Sequence, residues 1–145
     1  MDSILSQDTR YRIFLTIVND GSPDRTREIL RKYENLPNVE IIDQENKGLS
    51  GARNTALRVI RGTYLTFVDS DDQLLPGCID AWLDKAFSTD ADIVEGGYIH
   101  FVDNGQNSDI VRKQDSIGDK WLGVLFGFPW GKVYRASLFE NLQFP

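Results

Sequence analysis

The chain has one cysteine and one histidine among 145 residues. Cys78 alone cannot close an internal disulfide, so nothing here calls for an oxidising compartment. His100 alone excludes a metal site built from several imidazoles. No apolar run approaches the roughly 18 residues that a membrane-spanning helix needs. The stretch from Met1 to Asp8 lacks a basic region and an apolar core, so a secretory signal is not expected there. Basic charge is also scarce. Sixteen Lys and Arg stand against 22 Asp and Glu, for a net charge of −6 and a pI of about 4.7. That balance disfavours nucleic acid and anionic membrane surfaces as partners. It suits a carboxylate site that recruits a divalent cation. Repeats, low-complexity tracts and linkers are absent too. What remains is ordinary: 41% apolar and 26% charged residues, close to the globular average. A chain of this length can bury about two thirds of its unfolded surface. One domain over residues 1–145 is expected.

Short apolar runs alternate with helix-like segments. Ile4-Leu5 reads as the end of a short helix. RIFLTIV (12–18) is dense in β-branched and aromatic residues and predicts a buried strand. Asn19-Asp20-Gly21-Ser22-Pro23 stops it. Ser22 suits an N-cap and Pro23 a first helical position, so a helix to about Tyr33 follows. Residues 39–42 predict a second strand. Ser50 caps a helix whose Ala52, Ala56, Leu57 and Ile60 share a face. TYLTFV (63–68) predicts a third strand, ended by Asp69-Ser70-Asp71-Asp72. Pro76 opens a helix striped by Ile79, Leu83, Ala86 and Phe87. Residues 92–102 read as a long strand bent at Gly96-Gly97. Asp103-Asn104-Gly105 signals a turn, with 110–112 pairing back. Residues 121–126 read as helix and 127–134 as an aromatic loop. Strand–helix alternation over 12–87 predicts an α/β fold with a parallel sheet and crossover helices. Ligands then bind outside the carboxyl ends of the strands.

Three constellations lie at those ends. Asp69-Ser70-Asp71-Asp72 packs three carboxylates into four residues, a repulsive arrangement that a cation resolves. Hard oxygen ligands suit Mg²⁺ or Mn²⁺ completed by a substrate diphosphate. The same tetrapeptide also reads as a solvated acidic turn, or as a phosphoryl-transfer pair with Asp69 as nucleophile and Asp71 as acid/base. An EF-hand is excluded, since its sixth loop position is Leu74 rather than Gly. In Asn19-Asp20-Gly21-Ser22 an acid sits at a strand end before a helix and could accept a hydrogen bond from a base or ribose. The segment Asn46 to Asn54 offers glycines for close backbone approach, a helix N-terminus, and Arg53 placed for a phosphate.

Together and in this order, these motifs resemble the family 2, GT-A-type glycosyltransferases. The matching segments are IVNDGSPD (17–24), NKGLSGARNTAL (46–57) and GTYLTFVDSDDQLLPG (62–77). DIVEGGY (92–98) and PWGKVYR (129–135) are also similar. The resemblance implies a GT-A fold, a mainly parallel sheet flanked by helices. It implies that Asp20 binds the base, usually uracil, of a nucleotide sugar. Gly48 would shape the diphosphate loop and Arg53 would lie near the diphosphate. Asp69 and Asp71 would form a D-x-D motif which, with Asp72, holds ribose and a divalent metal (Mn²⁺ or Mg²⁺). The motif does not say whether Asp71 or Asp72 is the closer ligand. The implied partners are a nucleotide-sugar donor and a glycan or lipid-linked acceptor. The implied location is the cytoplasm, including the inner membrane face for the full-length protein.

Family members open with a further strand ahead of the helix that here starts at Asp2. They place a general base, in a Glu-Asp motif, after the Phe-Pro at 144–145. The chain is therefore expected to be a GT-A core trimmed at both ends, with its first strand missing and its catalytic base outside it. Glu95 and Glu140 are available carboxylates, but nothing in the sequence places them at an acceptor. A missing central strand would leave edges that invite rearrangement or self-association. Two rivals stand beside transfer: a nucleotide-sugar-binding unit without turnover, and the phosphoryl-transfer enzyme. Cys78 at a helix start reads as packing, with a lowered thiol pKa as the alternative. Trp82 and Trp121 read as packing residues, His100 as a strand residue. Trp130 and Lys132 resemble positions near the acceptor.

Overall fold

The computed structural model describes residues 1–101, 107–111 and 127–145. The chain runs α1 (Asp2–Leu5), β1 (Leu15–Asp20), α2 (Thr26–Leu30), β2 (Val39–Gln44), α3 (Gly48–Leu57), β3 (Tyr64–Leu65) and α4 (Cys78–Thr89). It continues through β4 (Ile93–Glu95), β5 (Tyr98–Phe101), β6 (Asn107–Val111), β7 (Lys132–Arg135) and a 3₁₀ turn, Ala136–Phe139. β1 and β2 pair in parallel from Leu15–Val39 to Asp20–Gln44, joined by the crossover through α2 that a parallel pair requires. α3 packs on β1. β7 lies antiparallel between β3 and β4, and β5 pairs with β6. Leu30, Ile79, Ala86 and Val133 are buried.

The strand and helix order through α4 follows the sequence pattern, with shifts that have local causes. The first crossover helix is only Thr26–Leu30. Ser22 does not cap it; the Asp24 carboxylate accepts from the Thr26 N–H at 2.9 Å instead. α3 starts at Gly48, two residues before Ser50, because the Asn46 side chain accepts the Gly48 N–H at 3.0 Å. The expected strand over 63–68 is hydrogen-bonded as a strand only at Tyr64–Leu65, with one further bridge between Phe67 and Trp130. Its other edge does not reach β1. Between them lies a cavity of about 760 Å³, lined by residues 15–20 on one side and 64–69 on the other. Thr66 Oγ1 is buried without a hydrogen-bond partner among the described residues. Residues 132–135, read above as part of a loop, form a strand that buries Lys132 and Val133.

The long strand expected over 92–102 is instead interrupted at Gly96-Gly97, with β4 and β5 in different sheets. A Cβ on Gly96 would sit 2.5 Å from the Trp82 indole nitrogen, so α4 closes against this break only over glycine. Trp82 thus packs as expected. β6 covers Ile110 of the expected return strand. The turn at 103–105, Arg112, the helix at 121–126 and Trp121 lie outside the described residues.

Candidate functional site

At the carboxyl end of β1, Gly21 adopts φ +72°, and a Cβ there would meet the Asn46 backbone nitrogen at 3.0 Å. The turn after β1 therefore packs directly on the loop entering α3. This brings Asp20 beside that loop. Asp20 Oδ1 accepts from Gln44 Nε2 at 2.6 Å and from the Lys47 N–H at 2.9 Å. These donors, the Gln44 amide first, hold its carboxyl below the ordinary range, because hydrogen bonds to the ionised form favour it. Gly48 follows at φ +74° with open space where a Cβ would be. It supplies the left-handed turn that delivers the chain into α3.

Arg53, one turn into α3, reaches Asp69 at the end of the third strand segment, with Nη2 to Oδ1 at 2.8 Å. The guanidinium also lies over Phe67 and Phe144, 5.9 and 5.4 Å from their ring centroids. Phe144 is held there by Asn54. Asn54 Nδ2 donates to its carbonyl at 2.9 Å, and its own N–H donates to Asn54 Oδ1 at 2.8 Å. Beyond Asp69 the chain turns through an Asp72 N–H to Asp69 carbonyl bond of 3.0 Å. The turn is tethered to α1, where Ser3 Oγ accepts the Leu74 N–H and Gln7 bonds Leu75 and Gly77. Partial burial, then the charges of Asp71 and Asp69, push the Asp72 carboxyl up.

Asp20, Arg53, Asp69 and Asp72 all line the same cavity. Gly48 adjoins them through Lys47, and Asp71 is exposed beside Asp72. The strand-end motifs thus converge on one mouth. Oxygen ligands, and a carboxyl raised by partial burial and then by its like-charged neighbours, fit a hard divalent ion. Among the described residues no three His, Cys, Asp or Glu side chains converge as a cage. An ion at Asp71 and Asp72 would complete its shell from water and a ligand's oxygens.

The other flagged groups are placed differently. Glu95 and Lys132 form an ion pair at 3.2 Å, with side chains 7% and 4% exposed. Glu95 is therefore no free base. Lys132 also donates to the Phe128 carbonyl. Trp130 stacks on Phe128 at 3.9 Å between centroids and meets Tyr98 edge-on. Burial pushes the Cys78 thiol up to about 11, so the alternative of a lowered thiol pKa is corrected. Half-burial outweighs the helix start.

The model of glycosyl transferase family 2 matches residues 1–142. The chain belongs to that family. Among its relatives, the glycosyltransferase GlyA of Streptococcus pneumoniae is 35% identical over 99% of this chain and 23% of its own length. The chondroitin synthase of Escherichia coli is 36% identical over 79% of this chain and 18% of its own. A crystal structure of S. aureus TarS in complex with UDP superposes with a TM-score of 0.75 at 24% identity, covering 99% of this chain and 44% of that one. This likeness shows the GT-A-type α/β fold. The chain spans less than half the length of these relatives.

Within this family member, sequence reasoning passed over Gln44, Asn54, Thr55 and Phe144. The signal for Gln44 was present: parallel pairing of two six-residue strands puts it opposite Asp20. Phe144 carried no comparable signal, since only the fold brings it to α3.

Proposed function

We propose that this chain binds the donor of an inverting glycosyltransferase, a nucleotide-linked sugar with uridine diphosphate as the nucleotide. The carrying observation is the convergence of Asp20, Arg53, Asp69 and Asp72 on one cavity mouth in a family 2 chain. The existence of TarS structures with UDP and with UDP-GlcNAc supports this nucleotide class. Asp20 accepts a hydrogen bond from the base. Arg53, carried on α3, swings between Asp69 and the diphosphate. Asp69 holds the ribose. Asp71 and Asp72 hold Mn²⁺ or Mg²⁺. When bound, the ion supplies charge neutralisation to the departing nucleoside diphosphate. In the whole protein, the acceptor oxygen bonds to the anomeric carbon as the bond to the phosphate oxygen breaks. The acceptor proton passes to a carboxylate base, which we assign to none of these 145 residues. The acceptor is a glycan or lipid-linked hydroxyl in polysaccharide or glycoconjugate synthesis, and the location is cytoplasmic.

A thermal-shift titration with UDP, with and without Mn²⁺, tests this reading. Ligand at about 100 times Kd adds about 2.7 kcal/mol and raises Tm by several degrees. The shift is expected to need the metal and to disappear in Asp71→Ala. No shift with either ligand overturns the reading. The unpaired edges facing the cavity also favour strand capture between copies of this chain. Sedimentation equilibrium should then find association rising with concentration, and a monomer at all concentrations refutes it.

A further inference from the structure

The Gln44 amide lies between two groups. Its Nε2 donates to Asp20 Oδ1 at 2.6 Å, while its Oε1 accepts from Thr55 Oγ1 at 2.7 Å. Thr55 is buried, and its hydroxyl oxygen in turn accepts from Arg58 Nη2 at 2.9 Å. Every donor in this chain points the same way, from the exposed guanidinium through hydroxyl and amide to the carboxylate. A hydroxyl that gives its only proton to Oε1 fixes the amide, so Gln44 must present N–H to Asp20. The Lys47 N–H meets the same oxygen, Oδ1. With Oδ1 held from two directions and the Gly48 backbone also favouring the ionised form, Asp20 lines the cavity as a fixed carboxylate whose Oδ2 keeps acceptor capacity.

We propose that Gln44, aligned by Thr55, is a positioning residue that aims Asp20 Oδ2 at the ligand and thereby selects a base bearing an imide N–H. The proposal rests on the donor-binding reading above. It deepens that reading, because a correctly aimed acceptor discriminates by ligand chemistry. Uracil offers N3–H to an acceptor. Cytosine has a lone pair at N3, which Oδ2 repels. The selectivity therefore depends on two residues that need not touch the ligand.

Calorimetric titration of the purified chain with UDP and with CDP, both with Mn²⁺, tests this. Wild type should prefer UDP. Gln44→Leu and Thr55→Val should each weaken UDP by about tenfold or more, the range for losing a hydrogen bond to a charged group. CDP should change less than about twofold, so the preference collapses. Thr55→Ser, which restores the hydroxyl, should restore the preference. A purely structural role predicts that UDP and CDP weaken together and that the preference survives, which overturns the proposal. Unchanged UDP binding in Gln44→Leu overturns it as well. Wild type binding neither nucleotide refutes the donor reading itself, and this proposal with it.

Discussion

Two ion pairs divide the molecule. Arg53–Asp69 sits at the cavity mouth with side chains 13% and 30% exposed. Lys132–Glu95 sits between β7 and β4 with side chains 4% and 7% exposed. The chemistry is the same in type, one cation against one carboxylate, but the availability is opposite. At the mouth the pair borders the cavity, so on the proposed reading Arg53 exchanges Asp69 for a phosphate. In the sheet, parting the pair strands a charge away from water. On that reading the open pair serves a ligand, whereas the closed pair serves the fold. Around the closed pair the surroundings are aromatic and dry: Lys132 lies 5.1 Å from the Phe128 ring centroid. The open pair also has aromatic neighbours, with Arg53 over the Phe67 and Phe144 rings, but it borders the cavity and the acidic turn.

The comparison can be broken most severely at the closed pair. Lys132→Met should destabilise the chain by about 3–5 kcal/mol, because Glu95 then stays buried without its partner. Urea unfolding measures it, and adding Glu95→Leu should recover much of the loss. A cost near zero for Lys132→Met would erase the distinction between the pairs. The open pair predicts the reverse weighting. Arg53→Ala should cost less stability than Lys132→Met but weaken UDP binding in Mn²⁺ about tenfold or more, the range for losing a hydrogen bond to a charged group. Calorimetry and unfolding on the same variant separate the two effects.

The pH dependence sharpens the contrast. In the dry region burial, followed by the charge of Glu95, pushes the Tyr134 phenol up to about 12. A folded-state pKa above the unfolded value of 10.0 contributes stability that is complete below pH 10. That stability is lost as pH rises through 12. The urea midpoint should therefore fall above pH 10, and fall less in Tyr134→Phe. At the mouth Asp20 behaves oppositely. Its carboxyl is depressed, so its contribution is present above 3.8 and lost as pH falls below that value. The smallest effect concerns Cys78. With its thiol raised from 9.0 to about 11, alkylation at pH 8 should run about a hundredfold slower than in the urea-unfolded chain. Equal rates would mean that the helix start is open to solvent.

The half around the cavity was largely legible. Apolar runs ending in Asn-Asp-Gly and Asp-Ser-Asp-Asp predict strands with acids at their carboxyl ends, and β1 and Asp69 follow. Gly96-Gly97 reads as a bulge or bend within one long strand, and it is where the structure ends one strand and starts another in a different sheet. The second half was less legible. The segment Gly127 to Tyr134 looks like a loop, since its glycines, proline and aromatics carry no strand period. Yet β7 is the central strand of its sheet. A buried lysine on that strand also runs against the usual rule for Lys, and its pairing with Glu95 and its bond to the Phe128 carbonyl permit it. Strand β3 is shorter than its apolar run because hydrogen bonds need a neighbour, and the cavity supplies none on that edge.

By itself, then, the sequence determined the local things: where chains of β-branched residues extend, where Gly, Asn and Asp turn them, and which carboxylates sit at their ends. These follow from backbone sterics and side-chain hydrogen bonding within a few residues. Only the tertiary structure decided which charges remain usable. Gln44 faces Asp20, Phe144 meets Arg53 across 91 positions, and Lys132 buries against Glu95 across 37. Whether a charge answers to a ligand or to its neighbour is a matter of access to water, and no short stretch of sequence carries that.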